Sequence, residues 1–176
     1  MAGSMLASYV PSALTIVINH PATNTTHVVG GLASDSVVSI EYPDATWTEK
    51  VLNYGETVRT HKLDKTLRVT LHVDQTSVTN DFLSGLMRYD ESDLTGLGGI
   101  FTCTLADKSS RTYAYSSMCF VKRPQTQEYG SDTNVRDWVI VMAWADQYLG
   151  GSMPVDQDTV NALEAFGIQI DDNWKL

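Results

Sequence analysis

The side chains that could carry out acid–base or metal chemistry are few and stand apart in this sequence. Its four histidines are His20, His27, His61 and His72. Acidic residues cluster at 90–93 and at 171–172, in segments typical of a loop and of a chain end. General acid–base catalysis needs a carboxyl group desolvated enough to raise its pKa, and nothing around these clusters indicates burial. We therefore predict no catalytic residues and no enzyme.

Metal and cofactor sites are not indicated either. His61 and His72 fall on adjoining predicted strands and could approach each other, but a metal site needs further ligands held by a second shell. The sequence has no Gly-x-Ser-x-Gly, no phosphate-binding loop, no dinucleotide-binding glycine pattern and no His-Glu-x-x-His. Cys103 and Cys119 lie in strand-like runs, and two cysteines in a chain of 176 residues are not a disulfide framework. We predict buried free thiols, with no metal and no cofactor.

Charge and composition restrict the partners. The net charge is -9, the pI is about 4.7 and 43% of residues are hydrophobic, enough for a sizeable core. Such a surface repels nucleic acid phosphates and anionic membranes. No apolar run approaches the roughly 18 residues of a membrane span, and the first twelve residues lack the basic start and apolar core of a signal peptide. We expect a protein made in a cytoplasm, with no membrane partner.

The elements that would position these side chains are mostly strands. Apolar, β-branched runs separated by turn residues predict about seven strands, one central helix and a C-terminal helical appendage. Short turns between antiparallel-compatible strands favour a β-sandwich or barrel with one flanking helix. Residues 57–63 and 66–74 predict a hairpin across Asp64-Lys65. The glycines at 150–151 begin a linker, so we predict a β domain at 1–150 and a short helical extension at 151–176.

One apolar strand is predicted at 135–148. Trp138, Ile140, Met142 and Trp144 would share one face, and small apolar residues the other. A strand with water on one side should alternate with polar residues, so both faces are expected to be covered.

The segment at 43–56 is too long for a tight hairpin and too apolar to be an idle loop. It carries four large apolar side chains: Trp47, Val51, Leu52 and Tyr54. Apolar surface beyond what a core requires usually marks an interface. We predict that these four residues contact neighbouring subunits.

The chain changes its period abruptly at residues 66–92. Four apolar residues at 67–73 alternate with Arg68, Thr70, His72 and Asp74, which predicts a strand with one polar face. Apolar residues at helical spacing then follow from Val78, almost without a loop. The hydroxyl of Thr76 or Ser77 is predicted to cap this helix.

This unit carries a resemblance to a known family. The segment Gly55–Leu86, with Gln75-Thr76-Ser77 followed by Asn80-Asp81-Phe82-Leu83, resembles the core of tail tube proteins of contractile-tailed bacteriophages. The strands that follow also keep the family's order, and the resemblance covers roughly Ser12–Gly150. The family is related in fold to the tube protein of type VI secretion.

The resemblance implies a structural virion protein without catalysis. It implies hexameric rings that stack into a hollow tube conducting viral DNA into the host, with sheath, tape-measure and baseplate proteins as partners. The subunit would be assembled in the host bacterial cytoplasm and end in the virion tail. It also implies that the segment 43–56 reaches a neighbouring subunit. On β strand 67–74, Arg68, Thr70, His72 and Asp74 would face the lumen of a shared inner barrel.

Two alternatives remain open from the sequence. One is a type VI secretion-like tube subunit, which shares the fold. The other is a β-sandwich binding module of the tail or baseplate, for which Trp47 and Trp174 could supply exposed aromatic side chains.

Overall fold

Antiparallel strands are the main regular elements of the computed structural model, which describes residues 9–34 and 36–176. The ten strands are β1 Leu14–His20, β2 Thr25–Val28, β3 Val38–Glu41, β4 Trp47–Val51, β5 Thr57–His61, β6 Leu67–Asp74, β7 Phe101–Asp107, β8 Thr112–Lys122, β9 Val135–Ala143 and β10 Asp146–Tyr148. The two α-helices are α1 Thr79–Ser92 and α2 Gln157–Ala165. The mainly β class with a flanking helix and a C-terminal helical extension is confirmed. The prediction about a signal peptide falls largely on residues outside the described part of the chain.

The main sheet has the strand order β2-β1-β7-β8-β9-β6-β3, and β10 continues along β8 beyond the end of β9. Strands β4 and β5 pair only with each other and form a separate two-stranded sheet. No helix within residues 9–34 and 36–176 is long and apolar enough to span a membrane.

The core lies on one face of the main sheet, and α1 packs against it. Strand β6 illustrates how the sheet contributes to this core, because its side chains alternate between the two faces of the sheet with a period of two. Its inward residues are completely buried: Leu67, Val69, Leu71 and Val73. Leu83 and Leu86 of α1 are buried in the same cluster, so the strand and the helix that follows it contribute to one core.

The predicted hairpin between residues 57–63 and 66–74 is wrong. Strand β5 pairs with β4, in the register Trp47 opposite His61, whereas both edges of β6 are taken by β3 and β9. Two-residue hairpin turns favour Gly or Asn at positive φ, which Asp64-Lys65 lacks. The Asp64 carboxylate instead accepts hydrogen bonds from the backbone N–H and hydroxyl of Thr66, at 2.9 and 2.6 Å. The chain therefore turns at Asp64 without pairing β5 to β6.

The apolar strand predicted at 135–148 is interrupted at Trp144. This residue has a φ of 50° and is 64% exposed, so it leaves the face of Trp138, Ile140 and Met142. Its conformation ends β9, and β10 resumes pairing with β8 two residues later. The Ser116 hydroxyl donates to the Ala143 carbonyl at 2.5 Å beside the break.

Asn80 organises the junction between β6 and α1. Its side-chain amide donates to the carbonyl oxygens of Asp74 and Ser77, at 2.8 and 3.1 Å, and its Oδ1 accepts from Trp138 Nε1 at 3.0 Å. The Asp74 carboxylate accepts from the backbone N–H and hydroxyl of Thr76, at 2.9 and 2.7 Å. These bonds turn the chain from strand to helix with only residues 75–78 between them.

The predicted helix cap is confirmed for Ser77 and wrong for Thr76. The helix begins at Thr79 with Val78 at the N-cap position, and no side chain of that residue caps it. The Thr76 hydroxyl is engaged by Asp74. The Ser77 hydroxyl donates to the Gly30 carbonyl at 2.6 Å and accepts from the Thr79 backbone N–H at 3.2 Å. The Thr76 hydroxyl therefore serves the turn, whereas the Ser77 hydroxyl satisfies a backbone N–H at the start of the helix and also contacts Gly30.

The C-terminal extension closes on itself. The Asp156 carboxylate caps α2 by accepting from the Thr159 backbone N–H at 2.8 Å. The Val155 backbone N–H donates to the Trp174 carbonyl at 2.7 Å, which joins the two ends of the extension. Arg111 attaches it to the sheet, because the guanidinium donates to the Met153 carbonyl at 2.8 Å and lies 5.1 Å from the Trp174 ring. Whether residues 1–150 form a separate domain stays a prediction.

Candidate assembly surfaces

The hairpin of β4 and β5 is the most exposed regular element of the described chain. We call residues 46–62 the arm. Every residue of both strands is exposed, and the arm closes at its base through the Lys62 backbone N–H, which donates to the Thr46 carbonyl at 2.8 Å. An isolated two-stranded hairpin is at best marginally stable in water. A further contact outside its own two strands would therefore stabilise the arm.

The base of the arm is held by aromatic contacts. The Arg59 guanidinium lies 3.7 Å from the centre of the Trp47 ring, and the ring centroids of Trp47 and His61 are 4.5 Å apart. A cation over an aromatic face contributes about 0.5–1 kcal/mol at an exposed site. The ring of Trp47, the first of the four predicted interface residues, is thus partly covered by side chains of its own subunit.

The tip of the arm presents the other three predicted interface residues. The Gly55 backbone N–H donates to the Leu52 carbonyl at 2.9 Å, and Gly55 has a φ of 80°, a conformation that glycine adopts without strain. This turn fixes Tyr54, which is 96% exposed and follows the partly exposed Val51 and Leu52. The structure therefore brings the four residues onto one projecting hairpin, and their role in subunit contacts stays a prediction.

The second predicted surface is the outer face of β6. Its outward residues are those predicted to face a lumen: Arg68, Thr70, His72 and Asp74. His72 Nδ1 lies 2.7 Å from the Asp137 carboxylate on β9, and Glu41 of β3 stands opposite Arg68 in the register. Hydrogen bonds from Thr76 lower the pKa of Asp74. This face is polar with mixed charge, and its place in an assembly stays a prediction.

Sequence reasoning missed the apolar part of the same outer face. Phe120 of β8 stands opposite Val141, which stands opposite Arg68, so these residues form one row across three strands. Phe120 is 38% exposed and Tyr115, on the same strand, is 44% exposed. Strict alternation along residues 112–122 would have placed these two residues, five positions apart, on opposite faces. Both point outward because the pairing of β7 with β8 shifts its register between Ser116 and Cys119.

The cysteine and histidine side chains that were considered for chemistry have structural roles. Cys103 and Cys119 are free and completely buried, as predicted, and the neighbouring thiol and burial raise the pKa of Cys103. His61 and His72, which could have approached each other, have separate partners, because the His61 ring lies 4.5 Å from the Trp47 ring in the arm and His72 pairs with Asp137. Within residues 9–34 and 36–176, no group of three or more His, Cys, Asp or Glu is arranged to hold a metal ion.

Comparisons with known proteins agree with the resemblance. Residues 6–150 match the family described as "Bacteriophage PhiTE tail tube protein". "Structural protein ORF10" of Pseudomonas phage KPP10 is 32% identical over 168 residues, which is 96% of this chain and 96% of that protein. Both matches define the class as structural proteins of phages, and the family match places it in the tail. Within it, the chain belongs to the family of the bacteriophage PhiTE tail tube protein.

One solved structure shows the same kind of fold, and a second aligns more loosely. The cap that terminates the tube of the anti-feeding prophage, determined by cryo-EM, aligns over 84% of this chain and 99% of its own length with a TM-score of 0.51 and 9% identity. A chain of the PVC sheath–tube complex of an extracellular contractile injection system, in its extended state, aligns over 80% of this chain and 91% of its own length, with 12% identity and a TM-score of 0.48. At such identities, the first similarity concerns the fold alone.

Proposed function

We propose that this tail tube protein assembles into hexameric rings that stack into a hollow tube, through which viral DNA passes into the host. Family membership supports the role of tube subunit. The observation that carries the assembly is the arm, a hairpin exposed along its whole length. A neighbouring subunit would cover its apolar tip and supply the packing that two strands alone lack.

The outer face of β6 is the proposed lumen wall. Arg68, Thr70, His72 and Asp74 lie on this face, and a chain with a net charge of -9 repels a polyanion overall. Like-charge repulsion would keep DNA from adhering during passage. The mixed charge on β6 means that other acidic residues must supply most of the repulsion.

The further partners follow from the same role. A sheath would surround the tube, a tape-measure protein would occupy the lumen during assembly, and the baseplate would hold the first ring. Assembly would take place in the host bacterial cytoplasm and end in the virion tail. Neither a metal nor a cofactor enters this proposal.

Negative-stain microscopy of the purified full chain tests the assembly. We expect hollow tubes, or rings of uniform diameter with six-fold averages. Replacing the arm, residues 46–62, with a short Gly-Ser turn should prevent stacking but keep a cooperative unfolding transition, because β4 and β5 pair only with each other. A chain that stays monomeric across concentration and salt would contradict the proposal.

Site-specific gold labelling tests the lumen. Cysteine at position 68, in place of the exposed Arg68, should accept a small maleimide–gold label that appears on the tube axis in averaged images. Asp158→Cys on the exposed side of α2 is the matched control. Native thiols do not compete, since Cys103 and Cys119 are completely buried. Label from position 68 on the outside of the tube would overturn the lumen assignment.

A further inference from the structure

An apolar groove of about 300 Å³ runs between α1 and the turn that joins β1 to β2. Its floor consists of Phe82, Gly85 and Leu86 of α1, and His20 and Tyr89 form one wall. The Phe82 ring is stacked on His27, with the ring centroids 4.4 Å apart. The groove is separate from the arm and from the outer face of β6.

One wall of the groove is held in place by the contacts of His20. His20 is 1% exposed, and both its ring nitrogens are engaged. Nδ1 accepts from the Thr23 backbone N–H at 3.3 Å, so Nε2 carries the proton and donates to the Gly98 carbonyl at 2.5 Å. The Tyr89 ring meets the His20 ring edge-on, with centroids 5.5 Å apart. A groove with a preformed wall loses little conformational entropy when an occupant binds.

Gly85 is the feature that calls for an occupant. Glycine inside a helix costs about 1 kcal/mol relative to alanine, so a reason for it is expected. Within the subunit there is none: a Cβ added at Gly85 would meet nothing within 4 Å, and the residue has no positive φ. The missing side chain keeps the floor of the groove open, which matters only if a group from outside the subunit enters it.

The lining specifies the chemistry of that group. Phe82, Leu86 and the bare backbone at Gly85 suit a flat apolar body. The carboxylate of Asp81 at the rim can accept one hydrogen bond. An aromatic ring with a single O–H donor, the side chain of tyrosine, has both properties.

We propose that Tyr54 at the tip of the arm of one copy of this chain inserts into the groove of a second copy, with its hydroxyl donating to Asp81. At 96%, Tyr54 is the most exposed aromatic residue in the described chain. Two strands of five residues can carry it about 17 Å from the base of the arm. The inference rests on the proposed assembly and deepens it, because it names the surface that receives the arm.

Other exposed aromatic residues fit less well. Trp47 is covered by Arg59 and His61, and Phe166 has no hydroxyl. The hydroxyls of Tyr113 and Tyr129 already hydrogen-bond Asp146 and Gln127 within the subunit. Tyr54 combines exposure, a fixed turn and a projecting position.

Disulfide trapping tests the contact directly. The variant Y54C/G85C, assembled and then oxidised with copper–phenanthroline, should yield a ladder of covalent multimers on non-reducing gels. Position 85 has space for the new side chain. Y54C alone, G85C alone and the mismatched pair Y54C/L94C serve as controls, because Leu94 is fully exposed on a loop outside the groove. Tubes that form normally but give no more cross-link than the mismatched pair would overturn the contact and leave the proposed function standing.

Filling the groove is the second test. Gly85→Leu should raise the critical concentration for assembly roughly tenfold to a hundredfold, the equivalent of losing one buried aromatic side chain. Tyr54→Ala should raise it similarly, and the double variant should be no worse than either, since both remove one contact. Gly85→Ala is the matched control for folding and should melt higher than the parent chain. Additive effects of the two variants would contradict a shared contact.

Discussion

Asn80 offers a strong test of how the strand-to-helix junction is held. The variant Asn80→Ala removes a side chain that is 4% exposed and makes four hydrogen bonds across the joint, the longest of them to the Gln75 carbonyl at 3.4 Å. The carbonyl oxygens of Asp74 and Ser77 would keep backbone donors, from Ser77 and from residue 80 itself. The Trp138 indole N–H, by contrast, would be buried without a partner.

The expected loss of stability follows from these contacts. A buried donor left unpaired costs about 1–3 kcal/mol, and each hydrogen bond to a carbonyl that keeps another donor contributes about 0.5–1.5 kcal/mol. We expect Asn80→Ala to lower the free energy of unfolding by about 3 kcal/mol. For a chain of this size, that corresponds to a fall in Tm of about 6–12 °C.

Urea unfolding followed by circular dichroism measures the change, and a double-mutant cycle assigns it. Trp138→Phe removes the indole donor, so Asn80→Ala should cost about 1–3 kcal/mol less in that background than in the parent chain. Asn161→Ala on α2 is the matched control, because its amide is exposed and should change stability by less than about 0.5 kcal/mol. A cost below about 1 kcal/mol for Asn80→Ala, or a cycle without coupling, would refute the reasoning.

Three further predictions follow from local geometry. Cys103 and Cys119 should react with a thiol reagent only after unfolding, since both are fully buried; rapid labelling of the folded chain would contradict this. Gly150→Ala should lower Tm, because the added Cβ would lie 2.4 Å from the Cβ of Arg111. An unchanged Tm would contradict this prediction and would mean that the backbone at residue 150 can shift away from Arg111. Hydrogen bonds from Thr95, Leu97 and Gly98 lower the pKa of Asp93 from 3.8 to about 2. Its stabilisation should therefore be complete above about pH 4 and fade as the pH falls toward 2. Asp93→Asn should lose stability relative to the parent at neutral pH and not at about pH 2, and a constant difference would contradict the mechanism.

The elements that sequence reasoning predicted correctly are those whose pattern is local. Leu67, Val69, Leu71 and Val73 alternate because one face of a strand is buried, and the spacing of Leu83 and Leu86 follows from the helix. Period alone therefore predicted β6, α1 and the change between them. The hydrogen bond from Trp138 to Asn80 could not be predicted in this way, because the two residues lie 58 positions apart in sequence.

Strand pairing depends on information that no local pattern contains. Residues 57–61 have the composition of a strand, but their pairing with β4 depends on the absence of a suitable turn at Asp64-Lys65 and on the competition of β3 and β9 for β6. Trp144 shows the same limit within one strand. A tryptophan in an apolar strand is expected on the buried face, whereas the positive φ of Trp144 turns its side chain outward. Only the contacts around Ser116 and Ala143 reveal that the strand is interrupted there.

Only one side of the proposed interface, the arm, could be recognised from the sequence, for a related physical reason. An apolar residue outside any core pattern, such as Tyr54, signals unused binding surface, so the arm could be identified. The groove leaves no such signal in the sequence. Phe82 and Leu86 also pack within their own subunit, and Gly85 contributes only the absence of a side chain. Its cost to the helix becomes informative only once the structure shows that nothing in the subunit occupies the space. Exposed apolar residues that could contact a neighbouring subunit can thus be recognised in the sequence. The groove proposed to accept them is found only in the structure, by asking which residues destabilise their own helix without a structural reason inside the subunit.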